Sequence, residues 1–374
     1  MSESNCGKRR TRGGTLLPRA GRWSGTEVHR LGRGVRAGLV GLCLLAAWIG
    51  AMAGLGAEPA PPPPLITVRV LVLNFDPLVE PATGLRLHQR CRWQDPRELA
   101  RGYTNDVQAA SHGRVAYRVV EWRDLDEFPV KTDGFAYTRE QYLACHDAGK
   151  GWHQPDGTDY PRLIARHGIA DRVARDEIDE VWWFGGPYFG FFESAMAGRE
   201  AFYINGGVFG ADVVPCPRAF AIMGYNYERG VAEMLHNLSH RTEATMSRVF
   251  GGWKAERLDH DWARFAANFK QSGGVAAVGS CHYPPNGEKD YDYANPNLVD
   301  SSADDWLTYP QLTGTKRQVN CETWGGPDYH RNYLRWWFAR LPHAAGVHPE
   351  HGRRNDWWEY VFRFAAYDQA GQTR

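Results

Sequence analysis

The segment Glu228-Arg-Gly-Val-Ala-Glu-Met-Leu-His-Asn-Leu-Ser-His-Arg-Thr-Glu243 reads as a helix, and the rest of the chain is placed around it. Val231, Leu235 and Leu238, continued by Val249, share the face expected to meet a core. Glu233, His236, His240 and Glu243 fall within an arc of about 80° on the other face. Two His four residues apart lie one turn apart and point the same way. Both imidazoles can then reach one Zn²⁺ at about 2.0–2.1 Å. A Glu/His stripe opposite an apolar stripe is also what a solvated helix face looks like, so spacing alone leaves both readings open.

Metallopeptidase helices carry His-Glu-x-x-His, in which the Glu moves the proton of the attacking water. Here the same frame reads His236-Asn237-Leu238-Ser239-His240, and Asn237 has no ionisable oxygen. A base must come from elsewhere, with Glu233 and Glu243 the nearest candidates, or the site binds metal without hydrolysis. Glu243, three residues after His240, also suits a ligand or a partner orienting that imidazole. A catalytic zinc site needs a third protein ligand and an open position. His282, in the Pro-bounded loop Ser280-Cys-His-Tyr-Pro-Pro-Asn286, is the first choice, with His330 and His343 behind it. His348 and His351 read as solvated loop residues. The predicted metal set is therefore His236, His240 and His282, with Glu233 and Glu243 as catalytic carboxylates and zinc as the cofactor.

Upstream, Leu65–Phe75 is β-branched and nearly all apolar, the mark of a buried strand. Helices follow over 95–110, 137–145 and 160–175, with strands at 114–122, 179–184 and 218–223 and an edge segment or hairpin in the aromatic, Gly-rich stretch 188–210. Alternating strands and helices predict an α+β fold, a mixed sheet covered by helices. The order resembles the N-terminal half of the zincin-type metallopeptidase fold, where strands and an edge strand precede the helix with the paired His. A helix at 257–271, an irregular stretch at 273–326 and helices at 328–341 and 355–367 complete the chain. The expected domains are a zincin-like part over 65–272, with the metal helix at 228–249, and a loop-rich, aromatic part over 273–374 that closes the cleft.

Residues 1–36 carry nine basic and two acidic residues, residues 37–57 carry none, and 58–64 is a Pro-rich linker. A basic stretch, an apolar run and small residues before the linker form a secretory signal over 1–57, or an uncleaved signal anchor. The expected location is secreted or periplasmic, with membrane attachment only through that segment. Of 44 basic and 43 acidic residues, 35 and 41 then remain, a mildly acidic domain with no electrostatic reason to bind nucleic acid. Five cysteines remain; in an oxidising compartment the expected pairs are Cys91–Cys145 and Cys281–Cys321, with Cys216 left over. The pairs Trp182-Trp183, Trp336-Trp337 and Trp357-Trp358 suit a core, or a cleft for sugar or peptide. Asp290, Asp292, Asn295 and Asn297 are a weak calcium candidate, for which Asx-turns are an equal explanation. Glu193, Glu228, Glu233 and Glu243 could also supply the two carboxylates of a metal-free glycosidase. No phosphate-binding loop, nucleophile elbow or dinucleotide fingerprint is present.

The stretches Val181–Ser194, Ile222–Gly230 running on to His240-Arg-Thr-Glu243, and His282–Asn286 with Tyr291-Asp292 resemble an uncharacterised family of exported bacterial proteins over most of 65–365. Its members are similar in a helix ending Gly-His-Arg-x-Glu, where Ser239 replaces the Gly, and an acidic residue often stands at the place of His236. The resemblance implies a shared site of Glu233, His240, Glu243 and His282, with His236 a local variant, and implies no activity. The combined expectation is an exported metal-dependent hydrolase acting on a peptide or glycan. The alternatives are a non-catalytic glycan- or cell-surface-binding protein of the same fold, or the glycosidase.

Overall fold

The computed structural model describes residues 64–374, and these belong to one compact unit. The signal segment 1–57 and all of the linker but Pro64 lie outside the described residues. Among the described residues no helix is long and apolar enough to cross a membrane.

A six-stranded sheet forms the centre. Its strands are β1 (Ile66–Phe75), β2 (Val115–Leu125), β3 (Glu180–Gly185), β4 (Ser194–Ala197), β5 (Val208–Phe209) and β6 (Phe220–Asn226), in the order β2-β1-β3-β6-β4-β5. The pairs β1/β2, β1/β3 and β3/β6 are parallel, while β4 runs antiparallel to β6. All six residues of β3 are buried, as are the last six of β1. Strands covered on both faces need apolar residues at every position, which is why these segments do not alternate.

Helices cover the sheet, as expected of a mixed α/β fold. Helix α1 (Pro96–Ala110) starts where the Asp95 side chain accepts the Arg97 N–H at 2.7 Å. Helix α2 (Arg139–Ala148) starts with a Thr138/Gln141 capping box and ends at left-handed Gly149. The single helix expected over 160–175 is two, α3 (Tyr160–Arg166) and α4 (Ile169–Ala174), because Gly168 takes φ +62° between them.

Helix α5 (Val231–Phe250) is the predicted metal helix, and it packs against α1, α7 (Tyr329–Phe338) and α8 (Trp357–Phe362). Fourteen of its twenty residues are buried, including His236, Asn237, Ser239, Arg241, Thr242 and Glu243. The solvated-face reading therefore fails. Arg241 is fully buried; its guanidinium meets Glu180 at 2.5 Å and donates to Val361 O at 2.9 Å, tying α5 to the sheet below and to α8 beside it.

The helix expected over 257–271 shrinks to α6 (Asp261–Phe265). Asn268 ends it: its Oδ1 accepts the N–H groups of Lys270 and Gln271, and its Nδ2 donates to Pro284 O and Gly287 O. A buried amide satisfied in this way turns the chain and holds the 280–287 loop against it. The region expected to be irregular contains short strands at Val299–Ser301 and Arg317–Val319, and Arg354–Asp356 pairs with His343–Val347 instead of opening the last helix.

The five described cysteines form no disulfide, so the expected Cys91–Cys145 and Cys281–Cys321 pairs are corrected. Cys145 donates to Gly151 O, and the Cys281 thiol is engaged by groups of α5. The six tryptophans in pairs are all buried, which settles them as core.

Candidate metal centre

His236 and His240 project from consecutive turns of α5, and the loop after Asn268 brings His282 over them. His282 Nε2 lies 3.1 Å from His236 Nε2 and 3.2 Å from His240 Nε2. Ligand atoms of a tetrahedral zinc ion stand roughly 3.3–3.4 Å apart, given metal–nitrogen distances of about 2.0–2.1 Å. With Cys281 Sγ, these side chains offer four ligand atoms within 4.8 Å of one another.

The outward nitrogens decide what the inward ones carry. His282 Nδ1 is 2.8 Å from Asp290 Oδ1, and His240 Nδ1 is 3.4 Å from Glu243 Oε2. Each ring therefore gives its Nδ1 proton outward, by assignment from its partners, and presents a bare Nε2 inward. His236 Nδ1 faces His330 Nε2 at 3.2 Å, so His330 belongs to this site as an outer partner. Burial, with His282, outweighs the opposing pull of Glu233 and Asp328 and leaves the His330 pKa below its ordinary value, so a neutral acceptor faces His236. Three lone pairs then converge. One proton can bridge one pair of nitrogens, whereas a cation at the centre satisfies all three.

Burial, and then His240, His330 and His282, push His236 down to about 2. It is neutral at physiological pH, the form that binds metal. Burial also opposes charge on His240, but Glu243, Glu193 and Asp290 outweigh it and raise its pKa. Cys281 is pushed well above its ordinary range by burial and by Glu243, to which its thiol donates at 3.1 Å. Its N–H donates to the other oxygen of Glu243 at 2.8 Å, fixing the residue next to His282.

No known family model, curated protein or solved structure matches the chain.

The structure brings together the three predicted metal-ligating His and places Glu243 behind His240. Glu233 stands apart, at the cleft wall, with Arg229 Nη1 3.4 Å away. Asn237 donates to Gly224 O at 2.7 Å and braces α5 on β6. His343 is elsewhere, stacked on His112 at 4.2 Å. The calcium reading is corrected: Asp292 accepts from Glu288 N and Asn295 Nδ2, Asn295 accepts from Asn297 N, and Asp290 serves His282.

Glu193, considered in the sequence only for a glycosidase, lies with Oε2 3.9 Å from His240 Nε2. Asn205 Nδ2 donates to the same oxygen at 2.6 Å. Glu193, Glu233 and Asn237 line a cleft of about 270 Å³ whose far wall is the 186–191 loop. That loop is pinned by Lys131, which is fully buried and donates to Asp156 Oδ1, Asp156 O and Tyr188 O at 2.5–2.7 Å. Gly190, at φ +80°, has no room for a Cβ, which would stand 1.7 Å from Asp156 O.

Asp261, His348 and His351 form a second group with convergent ligand atoms. Neither His is solvated as expected; both are half-buried and stacked at 4.0 Å.

Proposed function

We propose that this protein is an exported, zinc-dependent hydrolase with an atypical His-Asn-x-x-His helix, acting on a peptide or glycan substrate. The observation that carries the reading is the convergence of three bare Nε2 atoms, each ring backed by its own outward partner, next to Glu193, which also lines the cleft. Asp290 and Glu243 would hold the tautomers and raise the basicity of His282 and His240. Zinc held there supplies Lewis acidity to polarise a carbonyl and to acidify water at neutral pH. The chain's part is to fix the three rings, shape the cleft through the Lys131-pinned loop and present carboxylates to it. The strand order, with antiparallel β4 preceding the metal helix, supports a zincin-like fold. The basic and apolar N-terminal pattern supports export.

Metal analysis of purified protein after dialysis tests this. The expected result is one zinc per chain and a higher melting temperature on adding zinc to stripped protein. No retained transition metal together with no thermal shift would sink it. One observation favours a second reading, binding without turnover: Asn237 occupies the usual place of the base and serves as a brace. Stoichiometric zinc with no hydrolysis of peptide, ester or N-acetyl-glycan panels would select that reading.

A further inference from the structure

We propose that Glu193, on the cleft wall outside the metal helix, is the carboxylate that accepts the proton of the attacking water. This rests on the metal-dependent reading above and assigns a role that the helix itself leaves empty at Asn237.

The carboxylates around the three imidazoles sort by what they already hold. Both oxygens of Glu243 are taken by Cys281, through its N–H and its thiol. Asp290 faces the outer nitrogen of His282. Glu233 meets Arg229 and no imidazole of the cluster. Glu193 alone approaches an inward nitrogen, at 3.9 Å from His240 Nε2. It is not one of the four side chains whose ligand atoms converge within 4.8 Å, so it stands beside that set. Its side chain is 48% exposed and borders the cleft. Asn205 donates to its Oε2 and aims the carboxylate. The backbone holds the position too, since Glu193 O accepts the Gly224 N–H at 3.0 Å just before β4 begins.

In the step this implies, the water oxygen bonds to the substrate's carbonyl carbon as one of its protons passes to Glu193. That proton then goes to the leaving nitrogen or oxygen as the C–N or C–O bond breaks. One water is consumed and the carboxylate is restored.

The test needs no known substrate. Full-length zinc-loaded protein, Glu193→Gln and Glu233→Gln are titrated with acetohydroxamate, a small chelator whose hydroxyl proton needs an acceptor beside the metal. Zinc content and zinc affinity are measured on each. The expected result is one zinc in all three at similar affinity, with acetohydroxamate weakened about tenfold or more in Glu193→Gln, as for loss of a charged hydrogen-bond acceptor. Unchanged acetohydroxamate affinity in Glu193→Gln would overturn the proposal. So would a larger loss in Glu233→Gln, failure of the zinc-loaded wild type to bind the probe, or loss of zinc from Glu193→Gln, which would make Glu193 a ligand. Absence of zinc from the wild type is a different result and refutes the metal reading itself.

Discussion

Two histidine clusters of similar size differ in which ring nitrogen is bare. In the first, His240 and His282 give their Nδ1 protons outward to Glu243 and Asp290, leaving Nε2 free to converge. In the second, the Nδ1 atoms of His348 and His351 accept the backbone N–H groups of Glu350 and Arg353, at 3.2 and 3.3 Å. A neutral ring that accepts at Nδ1 carries its proton on Nε2. His351 Nε2 accordingly donates to Asp261 Oδ2 at 3.0 Å, an oxygen that also accepts from Tyr309 at 2.8 Å, while Arg264 takes the other oxygen. The second cluster is a hydrogen-bonded clamp centred on Asp261. Proximity of His and Asp is common to both; the direction of the outer hydrogen bond is what distinguishes the candidate metal centre from the clamp.

The largest effect should come from emptying the first cluster. His240→Ala or His282→Ala is expected to lose stoichiometric zinc, and the zinc-induced rise in melting temperature with it. The pair His348→Ala/His351→Ala is expected to keep one zinc per chain. Two zinc ions in the wild type, or zinc retained in His240→Ala, would break the comparison; metal analysis after dialysis reads both.

The next effect tests the platform of the first cluster. Arg241 and Glu180 are buried together, and Arg241 follows His240 directly. Glu180→Ala leaves a buried guanidinium unpaired and should cost about 3–5 kcal/mol. Urea unfolding of the zinc-free protein measures it. A loss below about 1 kcal/mol would mean that α5 is not held by this pair.

Smaller still are the outer partners. Asp290→Asn and His330→Ala should weaken zinc about 10- to 100-fold while leaving the three ligands in place. Competition with a chelator of known strength reads the change. Tyr309→Phe, which removes an outer bond from the second cluster, should leave zinc affinity unchanged.

How much of this was legible depends on range along the chain. The period of α5 is local, so the helix and the facing of His236 and His240 followed from spacing. His282 was reachable because Cys281-His282 sits in a short Pro-bounded loop beyond the next helix. Glu193 was not, since only the antiparallel pairing of β4 with β6 carries residues 193 and 194 back beside α5. Asn268 likewise reads as an ordinary helix residue until the 284–287 carbonyls that it binds are in place. Cys281 suggested a disulfide because oxidising surroundings make that the default for an exported chain. Its actual partner is a carboxylate thirty-eight residues earlier on α5, a contact with no signature in spacing.

The smallest effect belongs to the clamp, and acid should expose it. Asp261 is held below its ordinary carboxylate range: burial opposes this, but the hydrogen bonds from His351 and Tyr309 outweigh it. His348 is held below 6.5 by burial and by His351. Both shifts have the same sign in linkage, because the unfolded chain binds the protons that these folded groups refuse. The His348 contribution is present above 6.5 and declines as the pH drops below it; the Asp261 contribution is present above 3.8 and declines below that. Asp261→Asn removes the carboxylate while keeping its shape. It should cost about 1–2 kcal/mol at pH 8, measured by urea unfolding, with zinc content unchanged. The deficit relative to wild type should narrow below pH 4, where the wild type also protonates Asp261. A deficit that persists undiminished to pH 3, or a loss of zinc at pH 8, would show that the second cluster is not the separate brace its hydrogen bonds describe.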